Sequence, residues 1–107
     1  MSLEEIDRID FIAKDDKGNV ILLIVDTSEN LDEKRRYELL NRKLRMYMGY
    51  IKSNEFLKHH PGKTTNDVKI VITCYKPPSP QMRGIKAISA VGDDHIVEVE
   101  FKHIPMA

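Results

Sequence analysis

Residues 20–27, VILLIVDT, decide the fold. Six apolar residues in succession, four of them β-branched, stand between Asn19 and Asp26, the pattern of a strand buried on both faces. Just upstream, Asp15-Asp16-Lys17-Gly18-Asn19 gathers turn formers around a glycine that can take positive φ. Residues 8–14 and 20–27 are therefore predicted to form a hairpin with Gly18 in its turn. Pairing Lys14 with Val20 would set Arg8 opposite Asp26, a favourable cross-strand pair of opposite charges.

Downstream the periodicity changes. Tyr37, Leu40, Leu44, Tyr47, Met48 and Ile51 recur at steps of three and four, one continuous helical stripe. Asn30 is the expected N-cap, with Glu33 three residues on as in a capping box, and Asp32 and Glu33 favour the positive end of the helix dipole. The helix is predicted over residues 31–53. Gly49 within it costs about 1 kcal/mol relative to alanine, either to admit a close neighbour or without purpose. Leu39, Met46 and Tyr50 form a second stripe, about a third of a turn from the first. Either the C-terminal part of the chain covers it, or it is the contact of a helix-mediated homodimer.

Residues 54–67 read as a long loop broken by Pro61-Gly62, and residues 68–75, VKIVITCY, as a second central strand. Three prolines among residues 77–80 end that strand, because they supply no ladder donors. The remainder reads as a hairpin of residues 85–91 and 95–102, with Val97, Val99 and Phe101 alternating against Glu98, Glu100 and Lys102. The expected fold is one α+β domain over residues 1–107, in the order ββαβββ. It carries a four- to five-stranded antiparallel or mixed sheet with one long helix on one face. The other face would then expose aliphatic side chains, so either the last hairpin curls over it or a second copy covers it. A homodimer is favoured, since two-fold association is the commonest closed assembly.

The charge arithmetic excludes less than it first suggests. Seventeen basic and seventeen acidic side chains cancel over the whole chain. Residues 1–33 nevertheless sum to −7, residues 34–63 to +7, and residues 64–107 to zero. Association of one copy's acidic hairpin with another's basic helix suits that distribution. The lone Cys74 excludes an internal disulfide and a thiolate zinc site, and points to a reducing compartment. An acidic start and a longest apolar run of six residues give no export signal and no membrane span. A soluble cytoplasmic protein is expected.

Motifs for chemistry are sparse. No nucleophile elbow, phosphate loop, dinucleotide fingerprint or zinc motif occurs, so no catalytic residue, cofactor or metal is assigned. Glu100-Phe101-Lys102, with Asp93 and Asp94 upstream, matches half of a divalent-metal nuclease motif, but strand alternation gives the same triplet. His59, His60, His95 and His103 lack convergent metal-ligand spacing and read as solvated, and Cys74 reads as a small core residue. Asp26, Thr27 and Ser28 precede a helix start, where open α/β sheets bind ligands, or simply make the turn. The helix offers Lys34, Arg35, Arg36, Arg42, Lys43, Arg45 and Lys52. Arg35, Arg36, Arg42 and Lys43 with Tyr50 could contact phosphate and stack on a base, although a solvated helix face has the same composition.

The opening IDFIAKDDKGNVILLIVD and the helical LNRKLRMYMGYIKSNEF resemble a bacterial family of small domains of unknown function. In that family a strand pair ending in Asp precedes a helix with a K-x3-Y-x2-(F/Y)-I-x-S pattern, matched here by Lys43, Tyr47, Tyr50, Ile51 and Ser53. The resemblance implies a bacterial origin and one compact domain, and it brings no activity. The leading reading is a non-enzymatic protein-interaction module that self-associates. Nucleic-acid binding through the helix and a nuclease site at Glu100 and Lys102 are the alternatives.

Overall fold

The structure, a computed structural model, describes residue 3 and residues 9–27, 31–89 and 96–104. Among these, five strands form one mixed sheet in the order β1-β2-β3-β5-β4. They are β1 (Phe11–Lys14), β2 (Val20–Asp26), β3 (Val68–Cys74), β4 (Ala87–Ser89) and β5 (Ile96–His103). The first hairpin has the expected register: Lys14 lies opposite Val20, and Gly18 turns at φ 85°. Arg8, the expected cross-strand partner of Asp26, lies outside the described residues. β2 runs parallel to β3 and β3 parallel to β5, while β4 is antiparallel to β5. The last hairpin therefore extends the sheet edgewise through β5, and no element among the described residues lies over the second face. Its turn, residues 90–95, lies outside the described residues.

The long helix α1 (Glu33–Ile51) joins the parallel pair β2 and β3. Its N-cap is Asp32, whose carboxylate accepts from the Arg35 backbone N–H at 2.7 Å. The helix thus starts later than the sequence suggests; Asn30 lies outside the described residues. Glu33 reaches sideways to Lys76 at 3.1 Å and to Arg36 at 3.7 Å. Leu40, Leu44, Tyr47, Met48 and Ile51 of the main stripe are buried, and Tyr37 packs partly against the same core. Each such side chain contributes about 1.5–3 kcal/mol by leaving water. They meet Val20, Leu22 and Ile24 of β2 and Ile70 and Ile72 of β3 in one contiguous cluster. A methyl group at Gly49 would meet nothing within 4 Å, so this glycine admits no close neighbour.

The segment predicted as a loop after α1 instead holds α2 (Asn54–His59) and a 3-10 turn (Thr65–Asp67). Ser53 caps α2, its hydroxyl accepting from the Phe56 N–H at 3.2 Å, and buried Phe56 anchors the helix in the core. Two pieces this short carry too few periodic positions to register as helices in a sequence. The prolines after β3 stop the strand as expected, and Ser79-Pro80 begins the single turn α3 (Pro80–Arg83), which buries Met82. No described helix is long and apolar enough to cross a membrane.

Candidate functional site

Alternation along β2 sorts its side chains between two very different surfaces. Val20, Leu22, Ile24 and Asp26 turn toward α1 and are buried, whereas Ile21, Leu23 and Val25 face the opposite way and are half-buried. The register extends that second face into rows across the sheet. Phe11, Leu23, Val71 and Glu100 form one row. Ala13, Ile21, Lys69, Glu98 and Ala87 form another, and Val25, Thr73 and Lys102 a third. The half built on β1 and β2 is entirely apolar, with Phe11 46 % exposed. The half built on β3 and β5 carries two lysines and two glutamates, and Lys69 holds Glu100 at 3.1 Å. That contact keeps the Lys69 ammonium above its ordinary pKa.

Beneath α1 the arrangement is the reverse, with charges buried among apolar groups. Arg36 and Asp26 are both fully buried and meet at 2.7 Å, through Nε and Nη2 onto Oδ2. Arg36 further donates from Nη1 to the Pro77 carbonyl at 2.8 Å and from Nη2 to the Lys76 carbonyl at 2.9 Å. One guanidinium thus ties together the end of β2, the first turn of α1 and the segment leaving β3. Two turns on, Lys43 Nζ lies 2.7 Å from Asp10 Oδ1, both side chains sealed from solvent. Asp10 Oδ2 accepts from the Val25 N–H at 2.9 Å, replacing a ladder partner where β1 begins. The Asp10 N–H donates to Tyr47 Oη at 2.9 Å, and that hydroxyl donates to the Leu23 carbonyl at 2.6 Å. Burial raises the Tyr47 pKa, so the phenol stays protonated and remains a donor.

Four of the residues singled out from the sequence, Asp26, Arg36, Leu39 and Lys43, prove to be buried. Arg36 and Lys43 point into the protein and serve its interior, contrary to the expectation that they face a partner or a nucleic acid. Arg35 and Arg42 stay exposed, and Arg35 pairs with Glu38 at 3.4 Å. Of the second stripe, Leu39 is 3 % exposed and lies in the core cluster, while Met46 and Tyr50 pack partly against it. Tyr50 also meets Phe56 edge-on and shares a 3.2 Å hydrogen bond with His59 Nδ1. The possible ligand turn is closed at Asp26 by Arg36; Thr27 is half-buried, and Ser28 lies outside the described residues. Glu100 and Lys102 share the open face, but Asp93 and Asp94 are outside the described residues. Among the described residues no three His, Cys, Asp or Glu side chains are grouped to hold a metal.

Two other features have structural explanations. An open cleft of about 400 Å³ between the first turn and the 3-10 turn is lined by Asp15, Asp16, Asn19, Asp67, Lys69 and Glu98. Asp15 accepts there from the Lys17 and Asn19 backbone N–H groups, each at 2.9 Å, and Asp67 from that of Thr64 at 2.9 Å. The Asn19 side-chain amide first, at 2.9 Å from Asp15 Oδ2, and then these backbone bonds lower the Asp15 pKa, the Thr64 N–H lowers that of Asp67, and the acceptors are spent on turn geometry. Cys74 is fully buried beside Asp26, and burial, then the Asp26 charge, push its thiol up to about 11. A thiol reagent at pH 8 is expected to modify the folded protein about two orders of magnitude more slowly than the urea-unfolded chain. Equal rates would contradict the buried placement.

Of the motif residues, Lys43 pairs with Asp10, Tyr47 bonds the Asp10 N–H and the Leu23 carbonyl, Tyr50 meets Phe56 and His59, Ile51 lies in the core and Ser53 caps α2. No characterised protein and no solved structure shows significant similarity to the chain. Over residues 1–105 it matches, and so belongs to, DUF6572, a family of unknown function.

Proposed function

We propose that this chain is a non-enzymatic interaction module that self-associates through the open face of its sheet. The carrying observation is the face itself: exposed Phe11 and Ala13, half-buried Ile21, Leu23 and Val25, and buried Val71 form a continuous apolar stretch with no described element over it. The central strands β2, β3 and β5 run seven or eight residues and the edge strands β1 and β4 four and three, so the face measures roughly 24 Å across and about 23 Å along its middle, the size of a small, reversible interface. A two-fold axis over β2 would stack Leu23 near its own copy and leave the charges of β3 and β5 at the rim, the usual division of an interface. Lys69 and Lys102 balance Glu98 and Glu100 on that rim, and the zero net charge of the chain adds no long-range repulsion between copies. A second copy is therefore the occupant that fits. We read the setting as bacterial and cytoplasmic, where a single reduced thiol is at home.

Sedimentation equilibrium at micromolar concentration is expected to give twice the 12.4 kDa of the chain. Leu23→Asp is expected to weaken association at least about 30-fold, the effect of about 2 kcal/mol at an interface centre, while the far-UV circular dichroism is retained. A wild-type monomer at that concentration would overturn the proposal, as would a Leu23→Asp variant as dimeric as the parent.

A further inference from the structure

His60 follows α2 and is 8 % exposed, although the sequence marks it as a solvated loop residue. Its backbone is satisfied: the N–H donates to the Phe56 carbonyl at 2.9 Å, and the carbonyl accepts from Lys63 at 3.2 Å. Its ring is not. Among the described residues neither Nδ1 nor Nε2 has a hydrogen-bond partner, and both are shielded from solvent. The ring lies against Phe56, centroids 5.0 Å apart, and 6.3 Å from the ring of His59. From β1, Lys14 bears on it electrostatically, and from α2, His59. Lys63 belongs to the same segment, with its ammonium over Gly18 in the first turn. A proton on His60 would therefore sit in an apolar site among groups that are cations or can become so, with no ring acceptor to receive its N–H groups.

We propose that His60 is a pH-responsive latch: neutral, it holds α2 and residues 60–64 against the first hairpin and the core; protonated, it leaves and releases that segment. This goes beyond self-association, which uses the opposite face of the sheet. The sign follows from linkage. Desolvation first, then Lys14 and His59, lower the folded pKa below the ordinary histidine value. The open form thus binds the proton more tightly, and closure is favoured above the ordinary histidine pKa and weakened as pH falls below it. Ser53 at the junction of α1 and α2 is a natural limit to the opening, because α1 beyond it is anchored by its own stripe.

Amide hydrogen exchange of the full chain at pH 7 and pH 5, corrected for intrinsic rates, tests this directly. Residues 54–64 are expected to lose protection severalfold at pH 5 while β2 and β3 keep theirs. His60→Phe and His60→Leu are each expected to abolish the loss, and His59→Asn to retain it. The His60 ring resonance should titrate below that of the same residue in the urea-unfolded chain. Unchanged protection at pH 5 would overturn the latch. So would an equal loss in the variants at position 60, a loss spread evenly over β2 and β3, or titration of His60 at or above its unfolded value.

Discussion

Arg36→Ala is expected to lower the unfolding free energy by about 3–5 kcal/mol, the usual consequence of stripping one partner from a buried ion pair. For a chain of 107 residues, whose total stability is of order 5–15 kcal/mol, that is enough to leave part of the population unfolded. Three groups would lose the guanidinium at once: the fully buried Asp26 carboxylate and the Lys76 and Pro77 carbonyls. Arg36→Lys keeps the charge but not the planar fork, so it should recover only part of the loss. The double replacement Asp26→Leu with Arg36→Met removes both charges and should be milder than either Asp26→Ala or Arg36→Ala. It should still stay below the parent, because the two carbonyls remain without their donor. Urea unfolding followed by circular dichroism measures all four. A loss under about 1 kcal/mol for Arg36→Ala would mean that the guanidinium escapes to water and that the described burial is wrong.

The same pair shows what can be read in advance. The strands at 20–27 and 68–75, the turn at Gly18 and the main stripe of α1 are legible because each follows from a local period or a turn residue. Strand direction is not, since VKIVITCY has the same composition whether its neighbour runs parallel or antiparallel. Arg36 and Lys43 are harder. On the helix they flank the apolar stripe, and a cation beside a stripe is usually solvated. Their inward course depends on Asp10 and Asp26, which lie across the hairpin and become neighbours only when the sheet forms. One signal is present: both acids sit within or against apolar strand sequence, where a carboxylate has to find a cation. α2 escapes a sequence reading for a different reason, because six residues with one apolar anchor carry no measurable period. The second face, by contrast, follows from counting one helix against two apolar sheet faces, and the edgewise position of β5 leaves it without a covering element among the described residues.

Lys43→Met should cost about 3 kcal/mol, again because a buried charge loses its partner, whereas Arg42→Met, one residue away on the outer surface of α1, should stay within about 0.5 kcal/mol of the parent. Composition cannot tell these two cations apart; the structure separates them by burial and by the Asp10 carboxylate that Lys43 meets. Lys43 neutralises a carboxylate that also accepts the Val25 N–H, so the variant would leave Asp10 as a charge with one neutral donor at that site. Tyr47→Phe removes two further bonds, to the Leu23 carbonyl and from the Asp10 N–H, and should cost about 1–3 kcal/mol. Because Lys43 and Tyr47 both act on Asp10, their effects should not add. In the double variant β1 would already be loosened by either change, and a coupling of about 1 kcal/mol is expected. Chemical denaturation of the four proteins closes that cycle. Equal losses for Lys43→Met and Arg42→Met would remove the inward placement of Lys43, and strict additivity with Tyr47→Phe would mean that the two side chains hold Asp10 independently.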